Sequence, residues 1–327
     1  MFSNKTIFVF FALFVVNTTT AEKLSYRWQN DNRWRLFIED AQGKNEQYSV
    51  ELLSLEKDKT VANAGNFQES LMKGIKEANL STESLPEGLY YLDLRRDDIS
   101  VNTARPTPLT WNNEYLTQTV QVDRRNSQLS WQPSVPCLAR IIAVLPSGML
   151  VDVVTEWAFY AAKEYALEYN FVGDDGQSIY SQANLSIFAQ YIPLPLIFFV
   201  QGQPKFADYA ASPLFQAIEL PRIPLHFELS TNAHLIENDL GIYAGSDATS
   251  ITVTLDEETA QQLSGKRFEV LIYLDGEFIH EEAQGTSPYT YRLPNFTVTD
   301  KPQAISVNVL DYLGNWGIQT LTFQFAQ

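Results

Sequence analysis

The sequence predicts an all-β protein made of tandem antiparallel β-sandwich domains, with one or two short helices. Short runs of β-branched and aromatic residues, separated by turn residues, recur from end to end. Long helical patterns between these runs are missing, which favours antiparallel sandwiches over a parallel sheet. The chain has 327 residues, more than one hydrophobic core usually serves, so two or three domains are expected.

Residues 1–21 have the three parts of a secretory signal peptide. Lys5 gives the positive start, residues 6–16 are apolar, and a stretch of small and polar residues ends at Ala21. A membrane span needs about 20 apolar residues, so neither this stretch nor the proline-interrupted run 191–200 is long enough. The sequence therefore predicts cleavage after Ala21 and a secreted or periplasmic protein that does not span the membrane.

The rest of the chain is expected to form three domains of roughly 100 residues each, a size typical of single domains. A polar stretch at 123–127 marks the first boundary, and a segment at 201–224, rich in Pro, Ala and Ser, is interpreted as a connection. The predicted units are an N-terminal β-rich domain at 22–126, a middle β-sandwich with linker at 127–222, and a C-terminal β-sandwich at 223–327.

Two segments are predicted to be helical. Residues 66–79 place Phe67, Leu71, Ile75 and Ala78 at three- and four-residue spacing, which is a helical face. Residues 256–265 are interpreted as a short helical insertion. A third segment, 157–162, is compatible with either a strand or the start of a helix.

The C-terminal third carries the clearest strand pattern. Val270, Ile272 and Leu274 alternate toward one core, and Asp275-Gly276 follows as a tight turn that needs positive φ. A Pro-Tyr pair opens the next strand, and a later strand, with apolar residues alternating at 305–309, ends in Asp-x-x-Gly-Asn at 311–315.

These residues resemble the bacterial Ig-like domains that occur in tandem on secreted and cell-surface proteins. The resemblance covers about 249–325 and implies an Ig-like sandwich. Such domains serve as spacers, adhesive modules or carbohydrate- and protein-binding attachments, and the fold does not choose among these roles.

Composition limits the partners. The net charge of −16 argues against nucleic acid, because phosphate binding needs clustered Lys and Arg. Cys137 is the only cysteine, so an internal disulfide is impossible. Its apolar neighbours indicate a buried structural thiol rather than a nucleophile.

The sequence contains no recognisable catalytic, phosphate-binding or zinc motif, and we expect no cofactor and no metal centre. The three histidines lack the spacing of zinc ligands and are interpreted as strand-end or surface residues; they are His226, His234 and His280. Paired acids at 97–98 and at Asp174-Asp175 are interpreted as solvated turns, with calcium binding by Asp174 and Asp175 left open.

Aromatic residues supply the candidate ligand contacts. Trp131 lies in a strand-like run and is expected in a core. Trp111 and Trp316 lie in turn-like sequence, so these two are the candidate ligand-binding residues if they are exposed.

The sequence therefore favours an exported, non-enzymatic scaffold or binding protein of the cell envelope or surface, which recognises an envelope glycan or a protein partner. The alternative is a polysaccharide-active enzyme or its accessory subunit, with acids on strands and aromatics along a groove. A third hypothesis, an assembly chaperone of the envelope, is weakened by the length of the chain and by the lack of a recognisable basic anchor for a partner's carboxylate.

Overall fold

The computed structural model describes residues 16–17, 23–30, 33–39, 47–55, 60–64, 67–70, 74–97, 99–101, 108–109, 115–172, 184–218, 220, 224–237, 241–294 and 301–325. Within these ranges the chain forms strands, one short α-helix and one 3-10 turn. The predicted all-β sandwich class is confirmed. The predicted signal peptide lies outside the described residues, apart from residues 16–17.

The first sandwich contains two sheets. Its strands are β1 (Val16–Asn17), β2 (Lys23–Asn30), β3 (Arg33–Glu39), β4 (Tyr48–Ser54), β5 (Thr60–Ala64), β6 (Gln68–Glu69), β7 (Ile75–Ser81), β8 (Gly88–Arg96) and β9 (Ile99–Ser100). One sheet has the order β1-β2-β3-β7-β6, and the other contains β8-β4-β5 with β9 beside β8. Side chains at every second position, such as Leu36 and Ile38 on β3 and Leu92 and Leu94 on β8, fill the core between the sheets.

The helix predicted at 66–79 is wrong. Gly74 has a φ of +81° and ends a turn, after which β7 pairs along its whole length with β3. Ala78 and Leu80 are buried two residues apart, which is the strand period, and of the four residues with helical spacing Ile75 and Ala78 lie on β7, while Leu71 lies outside the described residues. Pairing with a distant strand therefore overrides the local pattern.

The second sandwich is formed by two further sheets, ordered β10-β16-β13-β14 and β11-β12-β15. Its strands are β10 (Leu116–Thr119), β11 (Gln121–Asp123), β12 (Gln128–Trp131), β13 (Cys137–Val144), β14 (Leu150–Tyr160), β15 (Tyr165–Glu168) and β16 (Ser186–Pro193). The segment that sequence left undecided at 157–162 is a strand as far as Tyr160. Cys137 and Trp131 are buried in this core, as predicted.

The chain then returns to the first sandwich. Strand β17 (Phe198–Gln201) pairs antiparallel with β8 and completes that sheet. After it, the 3-10 turn η1 (Phe206–Asp208) and the buried Phe215 and Ile218 pack into the first core. The division at 126/127 and 222/223 stays a prediction, but the structure differs from the simple connection expected at 201–224, since Phe206, Phe215 and Ile218 are core residues.

The third sandwich follows the predicted pattern most closely. Its elements are β18 (Phe227–Thr231), β19 (Leu235–Glu237), β20 (Ile242–Gly245), β21 (Ser250–Leu255), α1 (Glu257–Gln262), β22 (Phe268–Leu274), β23 (Glu277–Glu282), β24 (Tyr289–Arg292), β25 (Gln303–Asp311) and β26 (Trp316–Phe325). Its sheets have the orders β18-β21-β24 and β19-β20-β26-β25-β22-β23, with β20 and β26 parallel. Helix α1 confirms the predicted short insertion, and the Asp256 side chain caps it by accepting from the Thr259 N–H at 2.7 Å.

Candidate functional site

The second and third sandwiches are joined through a buried polar contact. Asn308 on β25 is fully buried, and its side-chain amide binds both backbone groups of Leu150, the first residue of β14. The Leu150 N–H donates to Asn308 Oδ1 at 3.1 Å, and Asn308 Nδ2 donates to the Leu150 carbonyl at 3.1 Å. This pairing satisfies four polar groups at once, so the two sandwiches have one preferred register against each other.

Apolar residues surround that contact. Tyr273, Trp316 and Ile318 belong to the third sandwich in sequence, yet they are buried within the second core. The outer face of the β22-β25-β26 sheet is therefore covered by the second sandwich.

Trp316 does not meet the condition of exposure on which its prediction as a ligand-binding residue depended. It is only 6% exposed, because it starts β26 at the covered face rather than lying in an open turn. The turn before it is held by Asp311, which accepts from the Asn315 N–H at 2.9 Å and from Asn315 Nδ2 at 2.7 Å. A ligand contact requires exposure, which Trp316 lacks.

An open cleft of about 550 Å³ lies at the rim of the same interface, and we call it the interface cleft. Asp275 and Gly276 of the β22–β23 turn line it on one side, and Leu145 and Ser147 of the β13–β14 turn line it on the other. The Asp275 carboxylate accepts from the Ala304 N–H at 2.8 Å and from Gln303 Nε2 at 3.2 Å, so both its oxygens are engaged. The carboxylate therefore fixes the turn against the start of β25.

The positive φ predicted for the Asp275-Gly276 turn is present, at +50° and +83°. A Cβ on Gly276 would lie 2.5 Å from Leu145 Cδ1. The absence of a side chain there lets the two turns approach each other.

A second open cleft, about 690 Å³, lies on the second sandwich. Asp152 on β14 and Glu168 on β15 line it from the two opposing sheets, together with Tyr169 and Asn170. Asp152 is buried, whereas Glu168 is exposed. Glycoside hydrolysis uses two carboxylates that face one cleft, commonly from different strands, and Asp152 and Glu168 share that feature, which sequence neighbours alone did not indicate.

The histidines lie apart from one another. His226 and His234 are exposed, as expected for surface residues. His280 on β23 stacks on Tyr291 with ring centroids 4.3 Å apart, and its Nε2 lies 2.7 Å from the Tyr289 hydroxyl. This stack bridges the two sheets of the third sandwich. Across the described ranges, no group of three or more His, Cys, Asp or Glu side chains is arranged to hold a metal ion.

Several predicted residues lie outside the described part of the chain. These are Trp111, Asp98, Asp174 and Asp175, so the ligand-binding role of the first and the calcium question stay predictions. Asp97 has a φ of +49°, and its Oδ1 accepts from the Gln47 N–H at 3.2 Å, which agrees with a turn.

Sequence analysis missed two exposed aromatic side chains on the third sandwich. Tyr312, at the tip of the β25–β26 turn, is 66% exposed, and Phe278 on the edge strand β23 is 49% exposed. The position of Tyr312 inside Asp-x-x-Gly-Asn is a usable signal, because the turn formed here leaves the second residue of the motif largely exposed.

Comparison with known proteins shows no matching family model and no matching curated protein. Among solved structures, the chain is similar to fibronectin(III)-like modules of Clostridium thermocellum CbhA, with 9% identity over 90% of this chain and 86% of that chain and a TM-score of 0.22. It is also similar to a tetra-tandem repeat from the extending region of a large adhesion protein, with 12% identity over 93% and 74% and a TM-score of 0.20.

A third similar structure contains the FN1–FN3 domains of chicken CNTN1, with 10% identity over 91% of this chain and 97% of that chain and a TM-score of 0.20. TM-scores this low carry no argument about function or partners. No helix within the described residues has the length and apolar character needed to cross a bilayer.

Proposed function

We propose that this protein is an exported, non-enzymatic scaffold of the cell envelope or surface, which binds an envelope glycan or a protein partner. The observation that carries the proposal is the buried register between sandwiches, centred on Asn308 and Leu150. A scaffold must hold its binding surface at a fixed position, and a buried, fully paired polar contact favours one arrangement over others.

The first and second sandwiches are joined just as closely. The Phe159 N–H of β14 donates to the Pro204 carbonyl at 2.9 Å, and Phe159 packs on Phe215 with ring centroids 5.3 Å apart. Because Phe159 and Trp157 are buried in the first core, the end of β14 belongs structurally to both sandwiches. These contacts support a stiff row of domains rather than modules on flexible linkers.

Binding is assigned to exposed aromatics, since exposed rings on a rigid domain contribute much contact area at low entropy cost. Tyr312 and Phe278 are the described candidates, and Trp111 remains a predicted one. The net charge of −16 favours neutral glycans or basic protein surfaces over anionic polymers.

The test is co-sedimentation of residues 22–327 with a panel of insoluble polysaccharides and purified cell envelopes. We expect depletion by one class of target, and loss of depletion in Tyr312→Ala, Phe278→Ala or Trp111→Ala. Ile99→Ala is the matched control, because Ile99 is an exposed apolar residue on the first sandwich. Depletion by no target, or equal depletion by every variant, would refute the proposal.

The alternative function, a polysaccharide-active enzyme or accessory subunit, is favoured by one observation, the placement of Asp152 and Glu168 in one cleft. Its test is release of reducing sugar from the same polysaccharides by the wild type, Asp152→Asn and Glu168→Gln. Activity abolished by both substitutions and retained in Asp97→Asn would establish the alternative. Absence of release by the wild type would eliminate it for the polysaccharides tested.

A further inference from the structure

Strand β13 carries a buried arginine that has no acidic partner among the described residues. Arg140 is 7% exposed, and toward the described residues its side chain donates one hydrogen bond, from Nε to Gln190 Oε1 at 2.8 Å. Taking a charge out of water is costly unless the charge is paired and hydrogen-bonded, so a buried guanidinium of this kind requires an explanation.

The surroundings of Arg140 are aromatic and rich in hydrogen-bond donors. Its guanidinium carbon lies 5.3 Å from the centroid of the Trp157 ring, and Tyr115 packs on the same ring at 5.3 Å. Trp157 Nε1 is buried and has no hydrogen-bond partner. Indole N–H and guanidinium groups only donate, so this cluster offers donors with too few acceptors.

The position of the cluster follows from the strand period. Cys137, Ala139 and Ile141 point into the second core, whereas Leu138 points the other way and is buried in the first. Arg140 shares the side of β13 that Leu138 occupies. The cluster therefore lies at the junction of the first and second sandwiches, on the side of β13 opposite the second core.

Among the described residues, the ionisable groups near Arg140 do not place a buried negative charge against its guanidinium. Burial lowers the pKa of Arg140, while Tyr115 and Glu156 favour its charged form. Glu156 is exposed and forms no ion pair with it among the described contacts. Burial raises the pKa of Tyr115 to about 12, against the opposing effect of Arg140, so the phenol stays neutral and able to donate.

We propose that Arg140, Trp157 and Tyr115 form a binding site for a small organic carboxylate. A planar carboxylate can accept from a guanidinium that lies over an aromatic ring, and its second oxygen can accept from an indole or phenol donor. One negative charge balances the one buried positive charge, whereas a doubly charged phosphate would add repulsion from Glu156 and from a chain of net charge −16. The low exposure of Arg140 limits the site to small ligands.

The test is a titration of the mature protein with sodium acetate against sodium chloride at equal ionic strength, followed by the indole N–H signals in ¹H–¹⁵N spectra. The Trp157 signal is assigned by its disappearance in Trp157→Phe. We expect a saturable shift of this signal with acetate, binding weakened by about tenfold or more in Arg140→Lys because the planar fork is lost, and no shift in Arg140→Met. Arg267→Met, which removes a largely exposed arginine, is the control and should titrate like the wild type.

A shift that fails to saturate, a shift of equal size in Arg140→Met, or saturable binding of phosphate but not acetate would overturn the proposal. If Arg140→Met does not fold, the comparison of Arg140→Lys with the wild type decides the result alone. Because the scaffold proposal is tested on Tyr312 and Phe278, either proposal can fail while the other stands.

Discussion

The buried contact between Asn308 and Leu150 allows a quantitative test of how the second and third sandwiches are held together. The substitution Asn308→Asp keeps the size of the side chain and its ability to accept from the Leu150 N–H. It removes the donor to the Leu150 carbonyl and, when ionised, faces that carbonyl with a negative charge. An unsatisfied buried polar group costs about 1–3 kcal/mol, and more when a charge is involved, so we expect the free energy of unfolding to fall by about 3 kcal/mol at pH 8.

The pH dependence separates this cause from general damage. Burial and the facing carbonyl raise the folded-state pKa of the introduced carboxyl above its unfolded value of about 3.9, and a cost of about 3 kcal/mol corresponds to a folded pKa of about 6. The protonated carboxyl can both donate and accept. The loss should therefore be complete above about pH 6 and should diminish as the pH falls from about 6 toward about 4.

The assay is urea unfolding followed by tryptophan fluorescence from pH 4.5 to 8, with each value taken as the difference from wild type. Asn232→Asp is the matched control, because Asn232 also binds two backbone groups, the Ser250 N–H at 2.8 Å and the Ala248 carbonyl at 3.0 Å, but is exposed. We expect a cost below about 1 kcal/mol for this control. A loss for Asn308→Asp that is independent of pH, or equal to that of the control, would refute the reasoning.

Three further predictions follow from side-chain packing and backbone geometry. Trp316→Ala should lower the free energy of unfolding by about 3–5 kcal/mol, measured by urea unfolding, since it empties part of the second core; a change below about 1 kcal/mol would contradict its placement. Gly276→Ala should lower the melting temperature, because its Cβ meets Leu145 in a backbone of φ +83°. In a Leu145→Ala background the same substitution should lower it less, because the contact is gone, but the drop should not vanish, because the strained φ remains; calorimetry of the two single variants and the double variant separates these effects. Burial raises the pKa of Cys137, so a thiol reagent at pH 8 should modify it only after denaturation, and rapid native modification would show that it is accessible.

Much of the third sandwich was predictable because its information is local. Val270 and Ile272 on β22 alternate with less buried residues, and the turn at Asp275-Gly276 follows at once. Period-two alternation and a turn that needs positive φ are both written in consecutive residues. The resemblance to Ig-like domains rests on the same local features.

The errors arose where distant segments decide the structure. The 66–79 segment has a helical spacing, but pairing with β3 makes its second half a strand. Trp316, beside glycines, looked like a turn residue because nothing near it in sequence shows that the second sandwich covers that sheet. The burial of Arg140 could have been predicted from the sequence, because it is the only charged residue in the apolar run 137–144.

The return of β17 to the first sandwich has a consequence for the order in which the chain can fold. Phe198, Phe199 and Val200 fill the first core beside Tyr26 and Trp34, so that core stays open until about 200 residues have been made. The second sandwich lies in sequence between β9 and β17, which both belong to the first sandwich. In a nascent chain the early strands therefore lack β17 while the second sandwich is being synthesised. Proteolysis of stalled chains should therefore find residues 23–101 protease-sensitive until the segment through Ile218 has emerged, and resistant afterwards.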